Sequence, residues 1–391
     1  MSLPIVSINL TVTNPGTPSN YLQSGAFISQ GGTTLPAGSS ALLTSLASLS
    51  SIISGVGNHT ELVAMNNTYW AQGSNNGVYV LELGAPTIPA NAGKEGAAAL
   101  TTYITDNPHT FFLFLLPRSW DGIAEVITMV EAYDSPSSMV YFLATTTAIN
   151  YPLWFASGGT PKAVLLLVEA PGIPITEFDL GAVLYIILNY NQTSASMVSP
   201  LCFSFVYGVT PYPALHNKTL LTQLKQAFVG YMTTGVEGGL SNTMLVWGLT
   251  GDGNQFNYWY SVAWTIINLD QSIANEVING SNNGLAPLYY NDFGIKRLQN
   301  RCAKTLRSGV ADGLILGNVI VTSLDPQTFA INVADGVYEG NAVINAVPFQ
   351  TYLDANPLDY GIGTYAGLQV AITPQLGFLA IVINLNVSLF A

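Results

Sequence analysis

A chain of 391 residues with 49% hydrophobic content can bury one large core or two ordinary ones, which excludes a disordered chain. Only 8% of its residues are charged, with 22 acids against 10 bases and a net charge of −12, where roughly 25% charged is average. A uniformly acidic surface repels phosphate backbones and disfavours nucleic-acid binding, while a surface of hydroxyls, amides and backbone is cheaply desolvated and suits a subunit covered by other subunits.

The chain opens on Met1-Ser2-Leu3-Pro4 without the basic and apolar regions of a secretory signal, so synthesis in the cytoplasm is expected. Ile5, Val6, Ile8, Leu10 and Val12 mark an alternating strand before the breaker Asn14-Pro15-Gly16-Thr17-Pro18. A matching strand closes the chain after Thr373-Pro374, with Ile381, Ile383, Leu385, Val387 and Leu389 alternating against Asn384, Asn386 and Ser388. A terminal strand with no hairpin partner must find a sheet edge in its own chain or in a neighbour. Both ends therefore read as linker-tethered strands.

Between them, strand-like and helix-like segments alternate. Val78 to Leu83 is a strand, Gly96 to Thr105 a helix, Thr110 to Leu116 a buried strand, Trp120 to Tyr133 a helix and Met139 to Thr145 a strand. The pattern continues with a strand from Ala163 to Glu169 and a helix from Thr176 to Asn189, capped by Thr176. A strand from Leu201 to Tyr207 and a helix from Thr219 to Met232 complete it. Such alternation predicts an α/β layer with a mixed, largely parallel sheet. Glycines 235, 238, 239, 251 and 253 mark a domain boundary near residues 240 to 255. Phe256 to Trp264 then holds five aromatics in nine residues, Ile266 to Ile278 is helix-like, and a marked helix runs from Asn291 to Ser308. That helix has Asn291 or Asp292 as N-cap and Gly309 as its stop. The remainder is β-rich, with a short helical stretch near Tyr352 to Tyr360.

Signatures of chemistry are sparse. The sequence holds no phosphate loop, no G-x-S-x-G elbow and no H-E-x-x-H. His59, His109 and His216 stand apart from other ligand residues, and Cys202 and Cys302 are too few for a zinc site or a disulfide framework. Asp252-Gly253-Asn254 opens like a calcium loop but lacks its later oxygen ligands and closing Glu, so it reads as a turn. No enzyme, cofactor or metal is expected. One charge feature stands out: five of the ten bases, Lys296, Arg297, Arg301, Lys304 and Arg307, fall within twelve positions of one helix. At about 100° per residue, Ile295, Leu298, Cys302 and Leu306 form an apolar stripe with the bases on the opposite arc. In so charge-poor a chain, this face is expected to meet an acidic partner.

The order aromatic strand (Phe256 to Trp264), helix (Asn268 to Val277), Tyr-rich turn (Ala286 to Gly294), basic helix (Ile295 to Ser308) and β-rich end resembles the tail sheath proteins of contractile-tailed phages. The similarity is in particular to the sheath-like family formerly classed as a domain of unknown function. Tyr69-Trp70 before Val78 to Leu81, and Phe142 to Thr147, extend the likeness into the N-terminal half. One departure shows: Asp354 to Tyr365 is acidic and Gly-rich where many sheaths are basic. The resemblance implies a homo-oligomer of stacked hexameric rings around an acidic inner tail tube, with baseplate and tail terminator proteins at its ends. It also implies arms that add strands to neighbouring subunits, the basic helix facing the tube, and residence in a virion tail assembled in the host cytoplasm. Neither nucleic-acid binding nor membrane insertion is implied. The domains expected are an arm over 1–20, an outer α/β domain over 21–250, an inner α+β domain over 251–375 and an arm over 376–391. A capsid, surface-layer or other shell-forming protein is the alternative that the low charge equally supports.

Overall fold

The computed structural model describes residues 21–73, 77–156, 158, 161–173, 175–190, 197–214, 217–234, 242–316, 336–338 and 342–380. The two expected arm strands, with Ile5, Val6, Ile8, Leu10, Val12, Ile381, Ile383, Leu385, Val387 and Leu389, lie outside these residues.

Six strands run parallel: β1 (Gly25–Ser29), β3 (Val78–Glu82), β4 (Leu113–Leu115), β5 (Tyr141–Thr146), β6 (Val164–Val168) and β7 (Gly230–Thr234). The short antiparallel strands β2 (Ser40–Leu43) and β8 (Thr243–Val246) close the edges, in the order β2-β3-β1-β4-β5-β6-β7-β8. Strands β1, β4, β5 and β6 are buried at every position, which a parallel sheet achieves only with both faces covered. One face packs Phe27, Val80, Leu113, Leu143 and Leu165 against α1 (His59–Ala71) and α4 (Asp179–Leu188). The other packs Ile28, Phe114, Phe142 and Leu166 against α2 (Ala92–Asp106), α3 (Ala124–Glu131) and α5 (Lys218–Gln226). The largely parallel α/β layer read from the alternating segments is present.

Beyond it come α6 (Phe256–Asn282) and α7 (Asp292–Ala311). At 27 residues, α6 is about 40 Å long. Its first turns seat Phe256 and Tyr260 among Phe112 and Tyr141 on the sheet, with ring centroids 5.5 to 6.3 Å apart. Its second half runs antiparallel to α7, pairing Glu276 with Arg297 and Ser272 with Thr305. A three-stranded antiparallel sheet, β11 (Leu368–Ile372), β10 (Ala342–Ala346) and β9 (Gly336–Tyr338), covers the far side of α7. Gln299 Nε2 donates to the Ile344 carbonyl at 2.9 Å across that contact. Two short helices, α8 (Phe349–Ala355) and α9 (Pro357–Ile362), join β10 to β11.

Several expectations are corrected. Phe256 to Trp264 is helical, not a strand: Phe256, Asn257, Tyr260, Ser261, Ala263 and Trp264 are the buried positions, a helical spacing that outweighs the strand preference of aromatics. The helix from Thr219 ends at Gln226, because Phe228 adopts φ 57° and Gly230 begins β7. Leu201 to Tyr207 lies along β8 through Phe203 N–H to Leu245 O and Val206 N–H to Thr243 O. Phe203 at φ 67° breaks its pleat, so one bridge forms instead of a strand. Thr176 is exposed and Phe178 holds the N-cap position of α4. Gly309 does not end α7, which continues to Ala311 before Gly313 turns at φ 73°. Gly309 is a packing residue, since a Cβ there would meet Ile315 Cδ1 at 2.6 Å and Trp264 Cζ3 at 2.8 Å.

Candidate assembly surfaces

A doubly wound sheet binds ligands outside its strand C-termini, where the winding reverses. Here that point lies between β1 and β4, and it is filled. Trp120 and Gln30 are buried there, with the indole N–H donating to Gln30 Oε1 at 2.8 Å. Beside them, the loop after β1 turns its N–H groups inward as an anion-binding nest would. Its occupant is the protein's own Glu82. That buried carboxylate accepts from Gly31 N at 2.6 Å, Thr33 N at 3.1 Å, Gly84 N at 2.7 Å and the hydroxyls of Ser29 and Thr33 at 2.5 and 2.7 Å.

At the end of β6, one guanidinium serves several carboxyls. Arg118 donates to Glu169 at 2.5 and 3.1 Å and to the Glu177 carbonyl at 2.6 Å, and lies 4.4 Å from the Phe178 ring centre. Burial pushes the Glu169 carboxyl up, against the lowering effect of Arg118. Asp179, with neither carboxyl oxygen hydrogen-bonded, is pushed well above the usual range by burial and then by Glu169 and Glu177. Glu61, facing the same group, is raised by burial as well. This cluster pins α4 to the sheet. It is a buried group of acids around one cation and not an open site, and the Asp179 carboxyl is left without a hydrogen bond inside it.

The basic helix is the exposed charged feature. Asn291 caps it, its side chain accepting from Gly294 N at 2.9 Å. Ile295, Gln299, Cys302, Ala303 and Leu306 are buried, and Lys296, Lys304 and Arg307 are exposed on the opposite arc. The expected amphipathic division is therefore present, but the five bases do not share one environment. Arg297 turns sideways to α6, gripping Glu276 Oε1 through Nε at 3.1 Å and Nη2 at 2.5 Å and donating to the Ala286 carbonyl at 2.9 Å. One turn further, Arg301 is half-buried over the same seam. Its Nε is buried with no partner among the described residues. Arg301 and Lys304 border a cleft of about 240 Å³ between α6 and α7, with Asn268, Gln271, Ser272 and Asn275 opposite. Sequence reasoning missed this cleft, although Asn268, Gln271 and Asn275 recur on α6 at the spacing of one helical face.

The opposite charge collects at the chain's other end: residues 308–391 hold six acids and no Lys or Arg. Tyr290, Phe349, Tyr360 and Tyr365 cluster at the base of α8 and α9. Asp354, Leu358 and Ile362 are exposed, the latter two at 82% and 75%, and Asp354 Oδ1 accepts from Gln350 Nε2 at 2.7 Å.

No protein-family model matches the sequence, and neither does any curated protein. Solved structures do match. The helical sheath of the anti-feeding prophage in its contracted state superposes with a TM-score of 0.60 at 13% identity, over 99% of this chain and 99% of that one. The fold is that of a contractile sheath protein. The sheath fold thus accounts for both the α/β layer and the C-terminal α+β unit. The anti-feeding prophage baseplate in the contracted state gives a TM-score of 0.45 at 14% identity, covering 100% of this chain and 99% of that one. The sheath tail protein of Listeria innocua gives 0.39 at 9% identity, over 70% and 56% of the two chains.

Proposed function

We propose that this chain is the structural, non-enzymatic subunit of a contractile sheath. Copies stack as hexameric rings around an inner tube, and contraction drives that tube through a target envelope. The observation that carries the reading is the correspondence of both units, end to end, with a helical sheath protein. The charge-poor surface supports it, because extensive burial between subunits then costs little desolvation. So does the filled crevice at the sheet's switch point, where a ligand would otherwise be sought.

In this reading residues 21–250 form an outer domain and 251–375 an inner one, with 1–20 and 376–391 as arms that add strands to neighbouring subunits. The exposed bases Lys296, Lys304 and Arg307, flanked by Arg301, face an acidic inner tube, and baseplate and terminator proteins cap the stack. Arg297 is left a structural part by its pair with Glu276. The particle is a phage or phage-like tail assembled in the host cytoplasm. Among the described residues, no helix is long and apolar enough to cross a membrane. Expressed alone, the chain should polymerise without nucleotide or metal into hollow tubes or stacked rings in negative stain. Monodisperse monomer in sedimentation at high concentration overturns the proposal, and planar lattices or closed shells favour the shell-forming alternative.

A further inference from the structure

The seam between α6 and α7 carries one completed ion pair and the place for a second. Arg297 has its acid, Glu276, on the facing helix. Arg301 stands one turn on, and there α6 offers Gln271, Ser272 and Asn275, none of them charged. A half-buried guanidinium with a desolvated, unpartnered Nε lacks the bidentate acceptor that such a group fits best. Lys304 beside it adds a second cation, and the facing amides add donors. The cleft is shaped and charged for a carboxylate. The chain also displays an exposed acid: Asp354 on the α8–α9 tip, which accepts only from Gln350 Nε2 of its own helix at 2.7 Å among the described residues and shares the tip with the exposed Leu358 and Ile362. The two do not meet within one molecule, since Asp354 is not among the residues that line the cleft. Phe349 N–H donates to Asp292 Oδ1, which holds the tip at the N-terminal end of α7, and Lys304 lies twelve residues on, about 18 Å along the axis.

We infer that the α6–α7 cleft receives the acidic α8–α9 tip of a second copy of this chain, Asp354 entering between Arg301 and Lys304. Cleft and tip are different patches on one molecule, so the contact is head-to-tail and propagates as a ring or an open helix instead of closing as a pair. The inference goes beyond the sheath reading, because it names the residues of a contact between copies and not of the contact with a tube.

A charge swap tests it. Full-length R301E and D354K, checked for native circular dichroism, should each self-associate at least about tenfold more weakly than wild type in sedimentation. The doubly substituted chain R301E/D354K should regain most of the loss, and the milder pair R301Q and D354N should each weaken association if a reversal unfolds the chain. Wild-type polymers indifferent to every single substitution overturn the inference and leave the sheath reading standing, as does a double variant whose losses simply add. A wild-type chain that does not associate overturns both.

Discussion

Arg118 ties the end of β6 to the start of α4 through Glu169 and the Glu177 carbonyl. Truncating it as Arg118→Leu leaves Glu169 buried without its cation, a loss of about 3–5 kcal/mol, measurable by urea denaturation. Asp179 behaves in the opposite sense. Its folded carboxyl, like that of Glu169, holds its proton more tightly than in the unfolded chain. The stability this contributes is fully present below the unfolded pKa and is lost as the pH rises through the folded value. Acidification from the alkaline side towards the ordinary carboxylate range should therefore raise the cluster's contribution to stability. Asp179→Asn should flatten that slope and leave the protein at least as stable at the alkaline end, because one buried carboxyl fewer then has to ionise there. A steeper slope in the Asn variant would contradict this assignment. None of the cluster could be read from sequence, where Arg118, Glu169 and Asp179 are separated by up to 61 positions and only the β6 and α4 packing brings them together.

Elements with a strong period were legible and those without were not. The buried runs of β4 and β6, the helices α2 and α7, and the N-cap at Asn291 follow from local pattern. Helix α1 escaped notice because its apolar residues do not gather on one face, being covered by both the sheet and α4. The start of α6 was misread because β-favouring aromatics fill positions that tertiary packing makes helical. The basic face was legible as a charge cluster, but its subdivision was not, since Glu276 and the α6 amides come from another element. Reversing Lys296 and Arg307 together to Glu tests the part of the face that lies outside the α6–α7 cleft. The fold should survive, because Ile295, Cys302 and Leu306 remain packed. Exposed pairs contribute only about 0.2–1 kcal/mol each, yet a ring repeats them. Extended sheath on its tube should be lost while tube-free polymers persist. Normal extended tails would show that the face is merely solvated.

For the whole molecule, the sparing use of charge and the placement of what charge there is form one pattern. Acids outnumber bases 22 to 10, half of the bases gather on α7, and the chain beyond Arg307 carries acid alone. On the sheath reading proposed above, bonds between copies must persist while the bond to the tube lets go, and electrostatic contacts in water break without the cost of parting a dry apolar seam. The most direct measurement is a helical reconstruction by electron cryomicroscopy of polymers grown from the pure chain. The account predicts a hollow tube whose lumen is lined by the C-terminal unit, with Lys296, Lys304 and Arg307 facing inward and the parallel sheet outside. A solid fibre, a planar lattice, or a tube with α7 on its outer wall would contradict it.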